Sequence, residues 1–293
     1  MKILCLGSSG FAGKVLRDSF LHEDNWEVEG ISSSQLDLTE SKSTQNLTEK
    51  LSDETTLIYS ARSTSFKTPW EQLNNELKMV YNLSLALLQK RIRKCIYFST
   101  LAVYDDSISQ QNISENTRVL PQSSYGIAKF GGECLLTQAA AKTDVPLVIF
   151  RSCKLYGPGD PNFEYGPGGF IYSALKGDTI QLYGDGSELR DHLFIEDLIN
   201  IVRHFVKSNK VGIYNLASGV SRSYQDLLTF IGEMTKEEIQ VASISRTRPR
   251  IDQTVDVSKL KQTVPGLELT PLEKGIPKTY RDIEYRLSKG ALH

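Results

Sequence analysis

The sequence predicts an α/β protein: a doubly wound parallel sheet followed by a smaller, mixed α/β lobe. Two observations carry this expectation. Short apolar runs at 2–6, 26–31, 55–60, 94–99 and 146–151 alternate with helix-period segments at about 11–21, 40–51, 69–90 and 123–142. Runs of that length suit strands covered on both faces, and helices between them make the connections a parallel sheet needs. From residue 152 the texture changes, because YGPGDP and EYGPGG are rich in glycine and proline and read as loops. Further helices are expected near 168–177, 194–208, 222–235 and 271–288, with short strands near 180–183, 212–216 and 239–244. The nominal domains are 1–155 and 156–293. There is no internal repeat and no low-complexity tract.

Taken in order, the first apolar run, Ile3 to Leu6, leads directly into Gly7-Ser8-Ser9-Gly10-Phe11-Ala12-Gly13. The residues that follow, FAGKVLRDSFL, repeat apolar side chains at helical spacing. Strand, glycine turn and helix in succession are the context of a dinucleotide-binding fingerprint. Gly7 permits the tight turn, Gly10 lets a pyrophosphate approach the backbone, and Gly13 lets the helix pack closely on the sheet. The helix N-terminus adds N–H donors and positive potential. Gly7, Ser9, Gly10, Phe11 and Gly13 are therefore candidate cofactor contacts.

The second strand, WEVEGIS, runs into Ser32-Ser33-Ser34. A carboxylate there would hold the ribose hydroxyls of NAD, whereas a basic residue would accept the 2′-phosphate of NADP. Serine hydroxyls can bond a phosphate and carry no charge to repel it, so Ser32 points to NADP, with NAD the alternative. In the third helical segment Leu73, Leu77, Val80, Leu83, Leu87 and Leu88 form an apolar stripe. The fourth carries Tyr125 and Lys129 in SSYGIAK. Four residues apart on a helix, the two side chains share a face. A nearby ammonium favours the phenolate of a tyrosine, which would otherwise titrate near pH ~10, and so makes it a usable proton donor and acceptor.

Composition bounds the rest. The chain has 293 residues, enough for a large core, and its 34 basic and 35 acidic residues nearly cancel. Nothing suggests a nucleic-acid or membrane surface. No apolar run reaches the ~18 residues of a membrane span. The N-terminus enters a strand at once, as expected of a cytoplasmic protein without a signal peptide. Cys5, Cys95, Cys134 and Cys153 lack metal-ligand spacing and are expected to be buried, reduced thiols, so no metal site is anticipated.

The glycine turn and the Tyr125/Lys129 pair together resemble the short-chain dehydrogenase/reductase superfamily. The Gly-x-x-Gly-x-x-Gly spacing resembles its extended branch, the NAD(P)-dependent sugar-nucleotide epimerase/dehydratase family, whose core is a Rossmann-type fold. Further blocks occur in the same order: Ile96-Tyr97-Phe98-Ser99-Thr100 before Val103-Tyr104, Phe150-Arg151, Leu155-Tyr156-Gly157-Pro158-Gly159, Tyr183-Gly184-Asp185-Gly186, Arg190-Asp191, Ile195-Glu196-Asp197 and Tyr214-Asn215-Leu216-Ala217-Ser218-Gly219. The resemblance covers residues 1 to about 260.

This resemblance implies a catalytic set of Thr100, Tyr125 and Lys129. It also implies cofactor contacts from Asp37 and Leu38 beside the adenine, Ala61 after the third strand, Asn75 in the next helix, and Tyr125 and Lys129 themselves. Capping of the turn before Thr39 is the alternative role for Asp37. The implied substrate is a nucleoside-diphosphate sugar, with Arg190, Lys154 and Arg248 near its diphosphate. An ion pair with Asp191 or Glu188 is the alternative for Arg190. Lys154 stands where many relatives have asparagine, and the stretch around Arg248 carries one extra residue. His192, beside Arg190-Asp191, is read as a packing residue, with substrate contact the alternative.

Departures from the family pattern narrow the chemistry. Relatives that remove water across carbons 5 and 6 follow their catalytic Thr with Asp-Glu, but here Leu101-Ala102 follow Thr100. The epimerase/reductases use a cysteine and a histidine where this chain has Ala102 and Gly159. What remains is hydride transfer at carbon 4 of the sugar. A 4-keto sugar nucleotide reductase is expected, in keeping with the short stretch from the second strand to Asp37. A 4-epimerase holding NAD is the alternative, and an NAD(P)-sensing protein without turnover a third reading. The helices at 69–90 and 123–142 resemble the pair that joins a homodimer in this family, so a homodimer is expected.

Overall fold

The computed structural model describes residues 1–292 except 65, 106–110, 162, 164, 236–238 and 247–249, and of residue 111 the backbone alone. In chain order the elements are β1 (Lys2–Leu6), α1 (Phe11–Phe20), β2 (Glu27–Ile31), α2 (Ser43–Lys50), β3 (Thr55–Tyr59), α3 (Pro69–Gln89), β4 (Lys94–Thr100), β5 (Gln111–Ile113), α4 (Ser124–Thr143), β6 (Leu147–Ser152), β7 (Lys154–Tyr156) and α5 (Pro167–Lys176). Then follow β8 (Ile180–Tyr183), β9 (Leu189–Arg190), β10 (His192–Phe194), α6 (Ile195–Lys207), β11 (Gly212–Leu216), β12 (Arg222–Ser223), α7 (Tyr224–Thr235), β13 (Val241–Ile244), β14 (Gln253–Val255), α8 (Ser258–Thr263) and α9 (Leu272–Ser288).

Six strands form the main sheet in the order β2-β1-β3-β4-β6-β11. From β2 to β6 the pairings are parallel, with Leu6 between Ile31 and Tyr59, and Thr100 beside Ser152. Strand order reverses between β1 and β3. The carboxyl ends of those two strands, followed by Gly7 and Ala61, thus form the switch point at which doubly wound sheets take ligands.

Every residue of β3 is buried, as expected of a strand covered on both faces. Val80, Leu83 and Leu87 of α3 and Leu136 and Ala139 of α4 share one core with Leu4, Leu57, Tyr59 and Tyr97. Elsewhere Phe205 of α6 meets Phe150 and Tyr214 edge-on, at 5.0 and 4.6 Å between ring centroids. Local chemistry sets where the key helices begin. Thr68 accepts a hydrogen bond from the Glu71 amide ahead of Pro69 at the start of α3, and Ser123 accepts one from the Gly126 amide at the start of α4.

The chain divides into two compact units interleaved along the sequence: residues 1–106, 115–152 and 199–215, then residues 107–114, 153–198 and 216–293. The first holds the main sheet. In the second, β7 pairs with β10, β8 with β13 and β5 with β14 in parallel, and β9 pairs with β12 antiparallel. Several of these strands are two or three residues long, too short for any hydrophobic period, so sequence reading misses β5, β7, β9, β10, β12 and β14. The short α8 is missed for the same reason. Cys134 is also a correction: it lies exposed on α4, whereas Cys5 and Cys95 are buried and their thiols pushed up to about 12 by burial.

Candidate active site

The turn after β1 is built to bring backbone close to backbone. Gly7 has φ +87°, and a Cβ there would stand 2.6 Å from Ala61 Cα. A Cβ on Gly13 would stand 2.2 Å from the Gly7 carbonyl oxygen, so α1 can approach β1 only with glycine at that position. Helix α1 begins after Gly10 without any side-chain cap, leaving its first amides for another acceptor. Ser9 and Gly10 are exposed, whereas Gly13 is buried and Phe11 half-buried. An exposed, uncapped helix N-terminus behind a glycine turn fits the pyrophosphate of a dinucleotide.

At the tip of β2, Ser32 and Ser34 hydroxyls lie 2.8 Å apart, and the Ser32 amide and hydroxyl both donate to Gln35 Oε1, at 2.9 and 3.1 Å. Asp37 Oδ1 accepts from the amide and hydroxyl of Thr39, at 2.9 and 2.7 Å. That is the turn-capping role. Leu38 is buried in the main core, and its carbonyl accepts from Asn82 Nδ2 at 2.8 Å. Asn75 is half-buried on α3.

The proposed catalytic residues come from β4 and α4. Thr100 ends β4, and its hydroxyl accepts from the Ala102 amide at 3.2 Å, starting a short 3₁₀ turn over Leu101–Val103. A Cβ on Gly126 would stand 2.3 Å from the Ala102 carbonyl oxygen, so α4 lies directly on that turn. This close approach seats Tyr125 on the first turn of α4, beside the strand end that carries Thr100. Lys129, one turn on, is buried, and its Nζ stands 5.7 Å from the Tyr125 ring centroid.

Lys129 Nζ donates to the Ala61 carbonyl at 3.3 Å and lies 5.5 and 5.9 Å from the rings of Tyr97 and Tyr59. Its ion-pair partner is Glu76 of α3, at 3.4 Å from Oε2. Sequence reasoning passed over Glu76. The signal was a lone acid inside the apolar stripe, three residues after Leu73 and four before Val80. Burial raises the Tyr59 and Tyr97 hydroxyls well above the usual tyrosine range, and the Glu76 carboxylate adds to both effects.

In the second unit, Lys154 donates to the Tyr165 carbonyl. Arg190 pairs with Glu188, the alternative weighed for it, and donates to the Leu189 carbonyl at 2.8 Å and to the Ile251 carbonyl. His192 lies opposite Lys154 in the β10–β7 register. It is buried with its ring edge-on to Tyr156 and Tyr224, and neither nitrogen has a hydrogen-bond partner among the described residues. Burial, with Lys154 and Arg190 adding, pushes His192 down to about 3. Asp191 accepts the Ser218 and Gly219 amides at 2.8 Å each, and Asp197 accepts from Thr270, so both carboxylates tie loops together. Arg248 lies outside the described residues.

A switch-point glycine turn and a Tyr-x-x-x-Lys helix docked on the same sheet define a nucleotide-dependent oxidoreductase class. The model of the NAD dependent epimerase/dehydratase family matches residues 3–217, and the chain belongs to that family, whose members are enzymes of the extended short-chain dehydrogenase/reductase type. Among curated relatives, the low-salt glycan biosynthesis protein Agl12 of Haloferax volcanii is 30% identical over 139 residues, covering 47% of this chain and 44% of that protein. The matched stretch thus spans less than half the length of that relative. Among solved structures, the UDP-glucose 4-epimerase of Thermus thermophilus in complex with NAD superposes with a TM-score of 0.86 at 20% identity, covering 97% of this chain and 99% of that one. RMD from Pseudomonas aeruginosa complexed with NADPH superposes with a TM-score of 0.83 at 21% identity, again covering 97% and 99%. At such identities these two matches speak for the fold.

Proposed function

We propose that this chain is a 4-keto sugar nucleotide reductase using NADP, with Thr100, Tyr125 and Lys129 as its catalytic residues. The observation that carries the reading is the seat of Tyr125 and Lys129 on α4, hard against the turn after Thr100, where Leu101 and Ala102 offer no further acid or base. The nicotinamide, when bound, supplies the hydride. The turn from Gly7 to Gly13 would hold the pyrophosphate, Ser32 and Ser34 the ribose phosphate, and Lys129 the nicotinamide ribose. Asp37, Leu38, Ala61 and Asn75 belong to the same proposed cofactor site.

The protein's own part is proton management. Thr100 hydrogen-bonds the carbonyl oxygen of the substrate and orients it. Tyr125 then delivers its phenolic proton to that oxygen as the carbon is reduced, and Lys129 stabilises the phenolate left behind. With no carboxylate pair after Thr100, nothing in this turn removes a proton from carbon 5. Arg190, Lys154 and Arg248 are the proposed diphosphate ligands, a guanidinium being suited to two phosphate oxygens at once.

A 4-epimerase would need the same three residues but would keep its NAD through a closed cycle of oxidation and reduction. The deciding experiment is to denature the purified protein, identify released nucleotide by mass spectrometry, and titrate the emptied protein with NADPH and NADH. Protein that is empty as purified and prefers NADPH supports the reductase. Stoichiometric NAD would replace it with the epimerase, and failure to bind either nucleotide would remove both.

Assembly as a homodimer is proposed on the outer faces of α3 and α4, which leave Trp70, Tyr81, Leu88 and Ile127 exposed. Sedimentation at micromolar concentration tests it: a 33 kDa species alone argues against a dimer. Among the described residues no helix is long and apolar enough to cross a membrane.

A further inference from the structure

Five side chains from four elements meet beneath the catalytic turn: Tyr59 of β3, Glu76 of α3, Tyr97 of β4, and Tyr125 and Lys129 of α4. Glu76 is 1% exposed. Its Oε1 accepts the Ser63 amide at 2.7 Å, which holds the loop after β3. Its Oε2 has no hydrogen-bond partner among the described residues and faces Lys129 Nζ at 3.4 Å. Lys129 in turn donates to the Ala61 carbonyl of that same loop. The Tyr59 hydroxyl is buried without a hydrogen-bond partner among the described residues, and the Tyr97 hydroxyl donates to the Lys129 carbonyl at 3.3 Å. Beyond Tyr97 stand Glu133 and Arg151, already paired with each other.

A buried carboxylate is costly to keep unless an opposite charge answers it. Here that charge is the ammonium on which the proton chemistry of Tyr125 depends. We propose that Glu76 is a positioning residue: it fixes Lys129 Nζ against the loop after β3 and offsets part of its positive field, thereby setting the pH at which Tyr125 exchanges its proton. The inference rests on the catalytic roles given above to Tyr125 and Lys129.

The sign follows from electrostatics. Glu76→Gln removes a negative charge near the phenol and leaves the Lys129 ammonium unopposed, and both changes favour the phenolate. Glutamine keeps an acceptor for the Ser63 amide, so the substitution isolates charge from loop anchoring. Glu76→Asp retains the charge on a shorter arm.

The test needs neither substrate nor cofactor. Tyrosinate absorbance is titrated against pH in the purified protein, and the component absent from Tyr125→Phe is assigned to Tyr125. In Glu76→Gln that midpoint should fall by about one pH unit, and in Glu76→Asp it should stay near the parent value. Thermal unfolding supplies the second readout. Glu76→Gln and Lys129→Met should each lower Tm by about 5 °C or more, with the double variant losing less than the sum. A lowered Tm with an unmoved midpoint would make Glu76 purely structural and overturn the proposal, as would strictly additive Tm losses. Should Glu76→Gln not fold, the double variant takes its place, and a midpoint no lower than that of Lys129→Met alone overturns it. Because no hydride is transferred, a failed reductase reading would leave this result untouched.

Discussion

Glu133 of α4 and Arg151 of β6 form a buried, two-pronged ion pair, each side chain 4% exposed and joined at 2.6 Å, with a second contact at 3.0 Å. Ser99 donates to Glu133 Oε1 at 2.5 Å, and the Arg151 guanidinium lies 4.8 Å from the Tyr104 ring centroid. Tyr104 donates to Asn215 Oδ1 at 2.7 Å. This network locks the helix carrying Tyr125 and Lys129 to β4 and β6. Glu133→Gln should therefore destabilise the fold by about 3–5 kcal/mol, because it strands a buried guanidinium. Urea unfolding measures it, and a loss below about 1 kcal/mol would show the pair to be dispensable.

Removing the phenolic hydroxyl should separate chemistry from folding. Tyr125→Phe is expected to lower the rate of NADPH oxidation with a 4-keto sugar nucleotide by about 10²–10⁴-fold while leaving Tm within a degree or two. Full activity in this variant would show that the proton comes from a group other than Tyr125.

The turn after β1 permits a test of the cofactor site. Gly7→Ala places a side chain at φ +87° and 2.6 Å from Ala61 Cα. The backbone conformation alone costs about 1–2 kcal/mol, and relief of the clash must move the turn. NADPH binding, followed by nucleotide fluorescence, should weaken at least tenfold. Unchanged affinity would place the cofactor elsewhere.

His192 makes stability depend on pH. Its folded-state value of about 3 lies below the ordinary 6.5, so the unfolded chain binds the proton more readily. The contribution is fully present above about pH 6.5 and is lost as pH falls towards 3, at about 1.4 kcal/mol per pH unit. His192→Phe should flatten the unfolding free energy over that window, read by urea titrations at several pH values. A profile as steep as the parent's would assign the acid lability to other groups.

How far these features were legible in the sequence depends on how local they are. The glycine turn, β1 to β4 to within one residue at either end, and the face shared by Tyr125 and Lys129 follow from neighbours a few residues apart, and the structure keeps them. Glu133 and Arg151 were visible only as a helix residue and a strand residue, with nothing to show that they meet. Arg190 was legible both as a candidate phosphate ligand and as an ion-pair partner of Asp191 or Glu188, and the structure pairs it with Glu188.

The sequence by itself determined the class of fold and the family, and it singled out Tyr125 and Lys129 as the proposed proton-transfer pair, because hydrophobic period, turn residues and a four-residue spacing act over one or two turns of chain. Tertiary structure alone decided that Glu76 faces Lys129, that Glu133 holds Arg151 and that His192 is sealed in without a hydrogen-bond partner among the described residues. Those relations arise where α3, α4 and the strands converge, or where β7 meets β10. They depend on which buried charge finds its counter-charge, and residue order along one segment does not encode that choice.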